Sequence, residues 1–209
     1  MKFYDCSTAP SPRRVRIFIA EKGLEIETVE VDLRNAEHLS DSFRKINPHC
    51  TVPVLELDDG TTIAEIPPIC HYLEETHPEP NLLGTDPKER ALIAMWDRYM
   101  ELDGVMAVAE ALRNRAKGMQ GRALTGRTSY AQIPELAERG RKRTERFFAE
   151  LEARLGESEY IAGGRYSAAD ITALVTVDFA KWLKITVADD QKNLRRWYDT
   201  VAARQACQV

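Results

Sequence analysis

The chain has 209 residues, 44% hydrophobic and 30% charged, which is enough for one large hydrophobic core or two smaller ones. Its net charge of −4, with both signs mixed along the chain, excludes the basic surface of a nucleic-acid-binding protein and gives no reason to expect an anionic membrane as a partner. No segment approaches the roughly 20 apolar residues of a membrane span, and no leader-like run follows the first residues, so we expect a cytoplasmic protein.

Cysteine and histidine are sparse and scattered. The four cysteines form no CxxC pair, and neither they nor the four histidines have the spacing of a zinc site or a dithiol redox centre. We therefore expect no metal. Isolated thiols such as Cys6, Cys50, Cys70 and Cys207 are usually small core residues in a reducing compartment.

The first part of the chain alternates strand and helix signals. Short runs of β-branched and apolar residues predict four strands, of which the last two form a hairpin across the turn DDG. The strands are expected at 2–5, 26–33, 52–57 and 61–64. The order β-α-β, loop, β-β-α predicts a thioredoxin-like domain over residues 1–80, with helices packed on a small mixed sheet.

Two helices belong to this predicted domain. The first is expected to begin at Ser11 as its cap, with Pro12 in the first turn, and to end at Gly23. The second carries an apolar stripe over residues 66–73. Prolines, a glycine and polar residues at 76–86 then predict a linker.

Nearly everything after the linker is expected to be helical. Asp86 and Pro87 open a long helix, and 117–133 is a looser segment with three glycines. The apolar residues of the long helix keep a period of 3.6: Leu92, Met95, Trp96, Tyr99, Met106 and Ala109. The segment 171–183 is apolar nearly all round and predicts a buried central helix. The fold class expected is thus α/β plus all-α, with an all-helical second domain over residues 86–209.

The sharpest local signal is the sequence YSAADI at 166–171. Ser167 and Asp170 have the spacing of a capping box, in which each side chain binds the backbone amide of the other residue. We interpret this pair as a folding device whose loss costs about 1 to 2 kcal/mol.

Two further stretches indicate a binding site. Pro53 cannot donate to a strand ladder, so it stands at a strand end, either as a structural turn or as a cis peptide that turns Val52 outward toward a peptide ligand. Glu65 lies at the start of a helix, where its carboxylate can bind an ammonium group while the helix amides bind a carboxylate. Together they predict a receptor for an amino-acid head group.

These residues resemble the landmarks of the cytosolic glutathione S-transferases, especially the fungal and bacterial, phi-like and theta-like members. The resemblance rests on residues 11–15 in part, 37–65 and 166–171, and it covers essentially the whole chain. It implies a thioredoxin-like glutathione-binding domain, an all-helical second domain, and a homodimer. It also implies that glutathione is the co-substrate and that its thiolate attacks a small hydrophobic electrophile.

The resemblance implies roles for individual residues as well. Val52, ahead of a cis Pro53, would pair its backbone with the cysteinyl part of glutathione, and Glu65 would hold the γ-glutamyl head group. Ile66 stands where a serine is common in the family, so only its backbone amide can bind. One side-chain hydrogen bond worth about 1 kcal/mol is then missing.

The glycyl end of glutathione is expected to be bound by few protein groups. His38 matches a histidine that meets the glycyl carboxylate in related proteins, although a solvated loop histidine is the alternative, and Thr51 replaces a frequent glutamine or lysine. Asp103 lies on the apolar stripe of the long helix, and it would reach the glutamyl amine across the dimer or else join a local network. Residues for an electrophile pocket, or simply for a core, are Met100, Met106 and Tyr130.

The family's catalytic serine is absent, because Ala9 occupies its position. The thiol of glutathione has a pKa of about 8.5, which the protein must lower to keep thiolate at neutral pH. Helix-start amides favour an anion, and a well-aimed hydroxyl adds a stronger hydrogen bond. We therefore expect Ser11 or its neighbouring amides to activate the thiol, with Thr8 and Ser7 as further candidates and a mere helix cap at Ser11 as the alternative. Cys6 ends a strand and is expected to be a buried structural thiol.

Three functions stay open at this point. The first is a detoxifying glutathione transferase. The second is a binding or regulatory subunit without turnover. Ala9 and Ile66 favour this alternative because they replace residues that are serines in related proteins. The third is a glutathione-dependent isomerase or disulfide reductase, although the lack of a cysteine at the helix start argues against reduction.

Overall fold

A computed structural model of the protein describes all 209 residues, which divide into two compact units. The first contains Met1–Pro80 together with Thr125–Thr128 and Val209, and the second contains Asn81–Leu124 and Ser129–Gln208. Each has large side chains that are fully buried, Phe18 and Leu55 in the first and Phe147 and Trp197 in the second.

The first unit is built on a four-stranded sheet. Its strands are β1 (Lys2–Asp5), β2 (Glu27–Glu30), β3 (Val54–Glu56) and β4 (Thr62–Ala64), in the order β2-β1-β3-β4. β1 pairs parallel with β2 and antiparallel with β3, and β3 pairs antiparallel with β4. The helices of this unit are α1 (Pro10–Glu21), α2 (Asp41–Ile46) and α3 (Ile66–Thr76). The predicted thioredoxin-like arrangement is confirmed.

The segment after β2 differs from the prediction in two details. β2 is shorter than the predicted run 26–33, because the chain turns at Asp32, whose Oδ1 accepts the amides of Arg34 and Asn35 at 2.9 Å each. The predicted loop contains the short helix α2, because the side chain of Ser40 accepts the amide of Phe43 at 3.2 Å and so caps a helix.

The predicted helix cap at Ser11 is wrong. α1 begins at Pro10, and Ala9, in extended backbone, is the cap residue. Proline is favoured at the first helical position, since the amide it lacks would have no helical partner there. Ser11 is therefore the second residue of the helix, and its hydroxyl does not cap the helix.

The second unit is helical, as predicted. Its helices are α4 (Pro87–Tyr99), α5 (Met106–Arg115), α6 (Pro134–Glu157), α7 (Ala168–Ala180) and α8 (Lys192–Ala202), and a π-helical segment (Met100–Val105) joins α4 to α5. Every residue of α7 except Asp178 is buried, which confirms the predicted central helix. No helix has both the length and the apolar character that crossing a bilayer requires. No group of three His, Cys, Asp or Glu side chains is placed to hold a metal ion.

α5 and α6 cross closely at Gly140. A Cβ at this position would lie 2.5 Å from the amide N of Ala111 and 2.7 Å from the carbonyl O of Ala107. The two backbones can approach this far because glycine has no side chain. This crossing fixes α6 against the long helix that includes α5.

α7 begins with the predicted capping box of Ser167 and Asp170. The amide of Ser167 donates to Oδ2 of Asp170 at 2.9 Å. Oδ1 of the same buried carboxylate accepts the amide of Ile161 at 2.9 Å and the indole Nε1 of Trp197 at 2.8 Å. One carboxylate thus joins the start of α7, the loop before it and α8.

Candidate active site

Several strand ends meet at one end of the sheet. Tyr4, Val54 and Ala64 are paired in one row across β1, β3 and β4. β1 and β4 end at or just beyond this row, whereas β3 begins there, because β3 runs antiparallel to both. The segments that follow β1, precede β3 and follow β4 therefore lie at the same end of the sheet. They carry Ser11, Thr51, Val52, Pro53, Glu65 and Ile66.

The start of α1 offers an anion two hydrogen-bond donors from one residue. Pro10 and Pro12 have no amide hydrogen, and the amide of Ala9 donates to the carbonyl O of Cys6 at 2.9 Å. The amide and the hydroxyl of Ser11 have no partner within the chain. A helix start carries partial positive charge, so an anion placed there would be stabilised by both donors.

The other two hydroxyls near this helix start are engaged. The hydroxyl of Ser7 donates to Oε1 of Glu30 at 3.0 Å. The hydroxyl of Thr8 lies 3.6 Å from Sγ of Cys6, which is 5% exposed, as expected for a buried thiol. Of the three candidate hydroxyls, that of Ser11 alone makes no hydrogen bond within the chain.

Tyr4 cannot take over the role of a thiol donor. It lies inside β1, as predicted, and its OH donates to Oε2 of Glu56 at 2.7 Å. Burial, together with the nearby Glu56 carboxylate, raises the pKa of Tyr4 to about 12. The phenol is therefore a structural group that stays protonated.

The peptide bond between Val52 and Pro53 is cis, as the prediction for an outward-turned Val52 required. Thr51 is tied to the preceding loop, since the side-chain amide of Asn47 donates to its carbonyl O at 2.9 Å and to its hydroxyl O at 3.0 Å. The main-chain N–H and C=O of Val52 make no hydrogen bond within the chain. They can therefore pair with the backbone of a peptide ligand, as an added strand would.

Glu65 adopts a strained backbone conformation. Its φ of 73° and ψ of 145° define a region that costs a non-glycine residue about 1 to 3 kcal/mol and that recurs at ligand clamps. Its carboxylate is exposed. Pro67 and Pro68 follow in α3, so Ile66 supplies the one amide hydrogen of the first three helical residues, and that amide has no partner. A carboxylate beside a free amide suits the ammonium and carboxylate of an amino-acid head group.

His38 and Asp103 have different surroundings. His38 lies in a 3-10 turn (Glu37–Leu39) and is 7% exposed, so the alternative of a solvated loop histidine is wrong. Asp103 lies in the π-helical segment, with its Oδ1 3.5 Å from Nη2 of Arg143 and 3.4 Å from Nη2 of Arg146. The structure thus shows the local network that was the alternative for Asp103, and its contact with a ligand stays a prediction.

One face of the long helix in the second unit is exposed. Five large apolar side chains, spaced three and four residues apart, are between 39% and 48% exposed: Leu92, Met95, Tyr99, Leu102 and Met106. A stripe with this spacing normally faces an apolar partner. We call these five residues the apolar stripe. Of the candidates for an electrophile pocket, Tyr130 is also exposed, whereas Met100 is buried in the core.

Comparisons with known proteins identify the family that this chain resembles. Family models described as the N-terminal and C-terminal domains of glutathione S-transferase match residues 8–76 and 95–205. Glutathione S-transferase 2 of Saccharomyces cerevisiae is 34% identical over 206 residues, which cover 98% of this chain and 86% of that protein. The crystal structure of a glutathione S-transferase domain-containing protein of Marinobacter aquaeolei matches with a TM-score of 0.91 and 38% identity, over 99% of this chain and 100% of that one. A maleylacetoacetate isomerase of Pseudomonas aeruginosa is 40% identical over 93 residues, or 44% of each chain.

Proposed function

The chain belongs to the glutathione S-transferase family, and we propose that it adds the thiolate of glutathione to small hydrophobic electrophiles, with Ser11 as the residue that stabilises the thiolate. The observation that carries this proposal is the start of α1. Among its first three residues, Ser11 alone has an amide hydrogen, and both that amide and the Ser11 hydroxyl have no partner within the chain. An ionised sulfur at this point would accept both hydrogen bonds.

Stabilising the ionised sulfur lowers the pKa of the thiol. Each unit below the ordinary value of about 8.5 requires about 1.4 kcal/mol of preference for the thiolate. A hydrogen bond to a charged group contributes about 1.5 to 3 kcal/mol, and a helix start adds about 0.3 to 1 kcal/mol. Ser11 and the start of α1 together therefore suffice to bring the thiol pKa to about neutral or below.

The rest of glutathione would bind along the same end of the sheet. The free N–H and C=O of Val52, ahead of the cis Pro53, would pair with the cysteinyl backbone. The carboxylate of Glu65 would bind the γ-glutamyl ammonium, and the amide of Ile66 would bind the γ-glutamyl carboxylate. The strain at Glu65 supports this role, because such strain is retained where a ligand needs the conformation.

The glycyl end has fewer candidates. His38 is mostly buried, and the hydroxyl O of Thr51 already accepts a hydrogen bond from Asn47, although its own hydrogen stays available. We therefore expect the affinity for glutathione to depend mainly on the γ-glutamyl and cysteinyl parts.

We also propose a homodimer that buries the apolar stripe. Apolar residues spaced three and four apart on paired helices form the usual seam between them. Asp103 follows Leu102 of the stripe in sequence, so in such a dimer its carboxylate would be near the partner subunit and could reach the glutamyl amine bound there. Its pairing with Arg143 and Arg146 would then orient it.

We propose a cytoplasmic setting for this chemistry. No disulfide joins any of the four cysteines, which supports a reducing compartment such as the cytoplasm. A transferase that accepts hydrophobic electrophiles there would act in detoxification.

The alternatives are less well supported. Cys6 is buried at the end of β1 and not at the start of α1, so it is poorly placed for a mixed disulfide with glutathione, which disfavours a reductase. The isomerase relative matches less than half of this chain. A binding subunit without turnover is the outcome expected if Ser11 does not activate the thiol.

Conjugation of glutathione to a reactive aryl halide tests the proposal. We expect turnover that saturates with glutathione and persists in Cys6→Ser. Retention on immobilised glutathione without conjugation would favour the binding subunit, and activity abolished by Cys6→Ser in a folded protein would favour a cysteine mechanism.

A further inference from the structure

We propose that Glu30 is a positioning residue that holds the loop between β1 and α1, residues 6–9, so that the donors of Ser11 face the sulfur of glutathione. This proposal rests on the proposed function and assigns Glu30 no contact with glutathione itself. The contacts of Glu30 and Arg16 with Ser7 are called the Ser7 clamp below.

The register of the sheet brings Glu30 to the loop. Glu30 pairs with Asp5 at the last position of the parallel β1–β2 pair, so Ser7, two residues beyond Asp5, lies within reach of the Glu30 side chain. The amide of Ser7 donates to Oε1 and Oε2 of Glu30 at 2.9 and 3.1 Å. The hydroxyl of Ser7 donates to Oε1 at 3.0 Å. Glu30 thus accepts hydrogen bonds from both the amide and the hydroxyl of Ser7. Hydrogen bonds to a carboxylate are stronger than those between neutral groups.

Arg16 holds the opposite edge of the same residue. Its Nη2 donates to the carbonyl O of Ser7 at 3.1 Å, and its Nη1 donates to both carboxylate oxygens of Asp5 at 2.8 and 2.7 Å. Asp5 is 2% exposed, so the guanidinium is anchored on a buried carboxylate. Ser7 is therefore held from β2 on one side and from α1 on the other.

The start of α1 needs such a restraint because it lacks a side-chain cap. The side chain of Ala9 has no oxygen to accept a helix amide, and the amide of Ala9 donates to the carbonyl O of Cys6. Ser7 lies four residues before Ser11, so a displaced Ser7 changes the direction of the chain into the helix. Hydrogen bonds weaken steeply with angle, and misplacement of a reacting group by about 1 Å can cost up to 100-fold in rate.

Because Glu30 is charged, the direction in which the thiol pKa shifts when Glu30 is replaced tests the proposal. A carboxylate that acted on the thiol only through its charge would disfavour the thiolate, so its removal would lower the thiol pKa. Loss of a positioning contact would raise the thiol pKa, because the donors of Ser11 would be less well aimed. The two explanations therefore predict shifts in opposite directions.

Three variants separate these explanations. Glu30→Ala removes the acceptor and the charge, whereas Glu30→Gln keeps an acceptor oxygen without the charge. Glu27→Ala removes an exposed carboxylate from the same strand and serves as the control. For each protein, the pKa of the bound glutathione thiol is measured from thiolate absorbance against pH. Amide hydrogen exchange is measured separately, without glutathione, at Ser7 and Ala9, whose amides are hydrogen-bonded within the chain.

The Ser7 clamp predicts that Glu30→Ala raises the thiol pKa by about 0.5 to 1 unit and speeds amide exchange of Ser7 and Ala9 severalfold. Glu30→Gln and Glu27→Ala should leave the exchange near that of the unchanged protein and the thiol pKa unchanged or slightly lower. A thiol pKa that falls or stays constant in Glu30→Ala overturns the proposal, and so does unchanged exchange. Absence of bound thiolate in the unchanged protein would refute the proposed function instead, and the exchange measurement would still decide whether the clamp exists.

Discussion

The indole N–H of Trp197 donates to the buried carboxylate of Asp170 across 2.8 Å. The amides of Ile161 and Ser167 donate to the same carboxylate, yet its removal from water is the larger effect, and burial raises the pKa of Asp170 to about 6. The folded protein therefore binds a proton at Asp170 more tightly than the unfolded chain does. The residue that caps α7 also makes stability depend on pH.

We expect the contribution of Asp170 to the free energy of unfolding to fall as pH rises from about 4 to about 6, by up to ~3 kcal/mol, because in this range the folded state keeps at Asp170 a proton that the unfolded state has released. Urea unfolding between pH 4 and 7 measures this for the protein and for Asp170→Asn, which cannot titrate at this position. The difference in the free energy of unfolding between these two proteins at each pH gives the contribution of Asp170. A difference that does not change with pH would show that the carboxyl does not titrate in this range.

The close approach of α5 and α6 predicts a large effect of a single methyl group. Gly140→Ala should destabilise the protein by about 1 to 3 kcal/mol or more, because the Cβ would lie 2.5 Å from the amide N of Ala111. Gly118→Ala is the matched control, since a Cβ there meets nothing within 4 Å. Chemical denaturation of both variants tests the prediction, and equal stabilities would mean that the helices can separate without cost.

Two substitutions of Glu65 separate its binding role from its strain. Glu65→Ala and Glu65→Gly both remove the carboxylate, so both should raise the KM for glutathione by about tenfold while kcat changes little. Only glycine relieves the strain at φ 73°, so Glu65→Gly should be more stable than Glu65→Ala by about 1 kcal/mol.

Steady-state kinetics and thermal unfolding of the two Glu65 variants provide both measurements. An unchanged KM would show that Glu65 does not bind the γ-glutamyl head group. The opposite order of stability would show that the conformation of Glu65 is not strained.

The apolar stripe predicts the oligomeric state. The protein should elute as a dimer, and Leu102→Glu should shift it toward monomer, because a charge in an apolar interface loses its water without gaining a partner. Leu124→Glu is the control, since Leu124 is exposed but lies outside the stripe. Light scattering distinguishes the outcomes, and a protein that is monomeric before any substitution would refute the proposed dimer.

Local sequence patterns were sufficient to predict much of this fold. The spacing of Ser167 and Asp170 predicted the start of α7, and the unbroken apolar run after it predicted a buried helix, because caps and burial are both read over a few residues. The position of Pro53 at a strand end followed from the inability of proline to pair within a ladder, whereas its cis peptide was implied by the family resemblance. The bounds of α8 were not predicted, although the spacing of Leu194, Trp197 and Val201 could have indicated its buried face.

Other features depend on choices that a local pattern does not decide. The sequence APSP allows α1 to open at Pro10 or at Pro12, and only the first choice makes Ser11 the sole amide donor of the first turn. The Ser7 clamp depends on the parallel register between β1 and β2, which joins residues far apart in the chain. Register is set by packing across the whole sheet, so Glu30 carried no signal of its own.

The most direct test of the account is the pKa of the glutathione thiol bound to proteins in which Ser11 is replaced in two ways. Ser11→Ala removes the hydroxyl and keeps the amide. Ser11→Pro removes both donors and makes residues 10–12 three consecutive prolines; the two consecutive prolines Pro67 and Pro68 already occupy the first turn of a helix in this chain. We predict that the thiol pKa rises from the unchanged protein to Ser11→Ala and again to Ser11→Pro, toward the value of about 8.5 for a free thiol. The same thiol pKa in all three proteins, with glutathione still bound, would contradict the account.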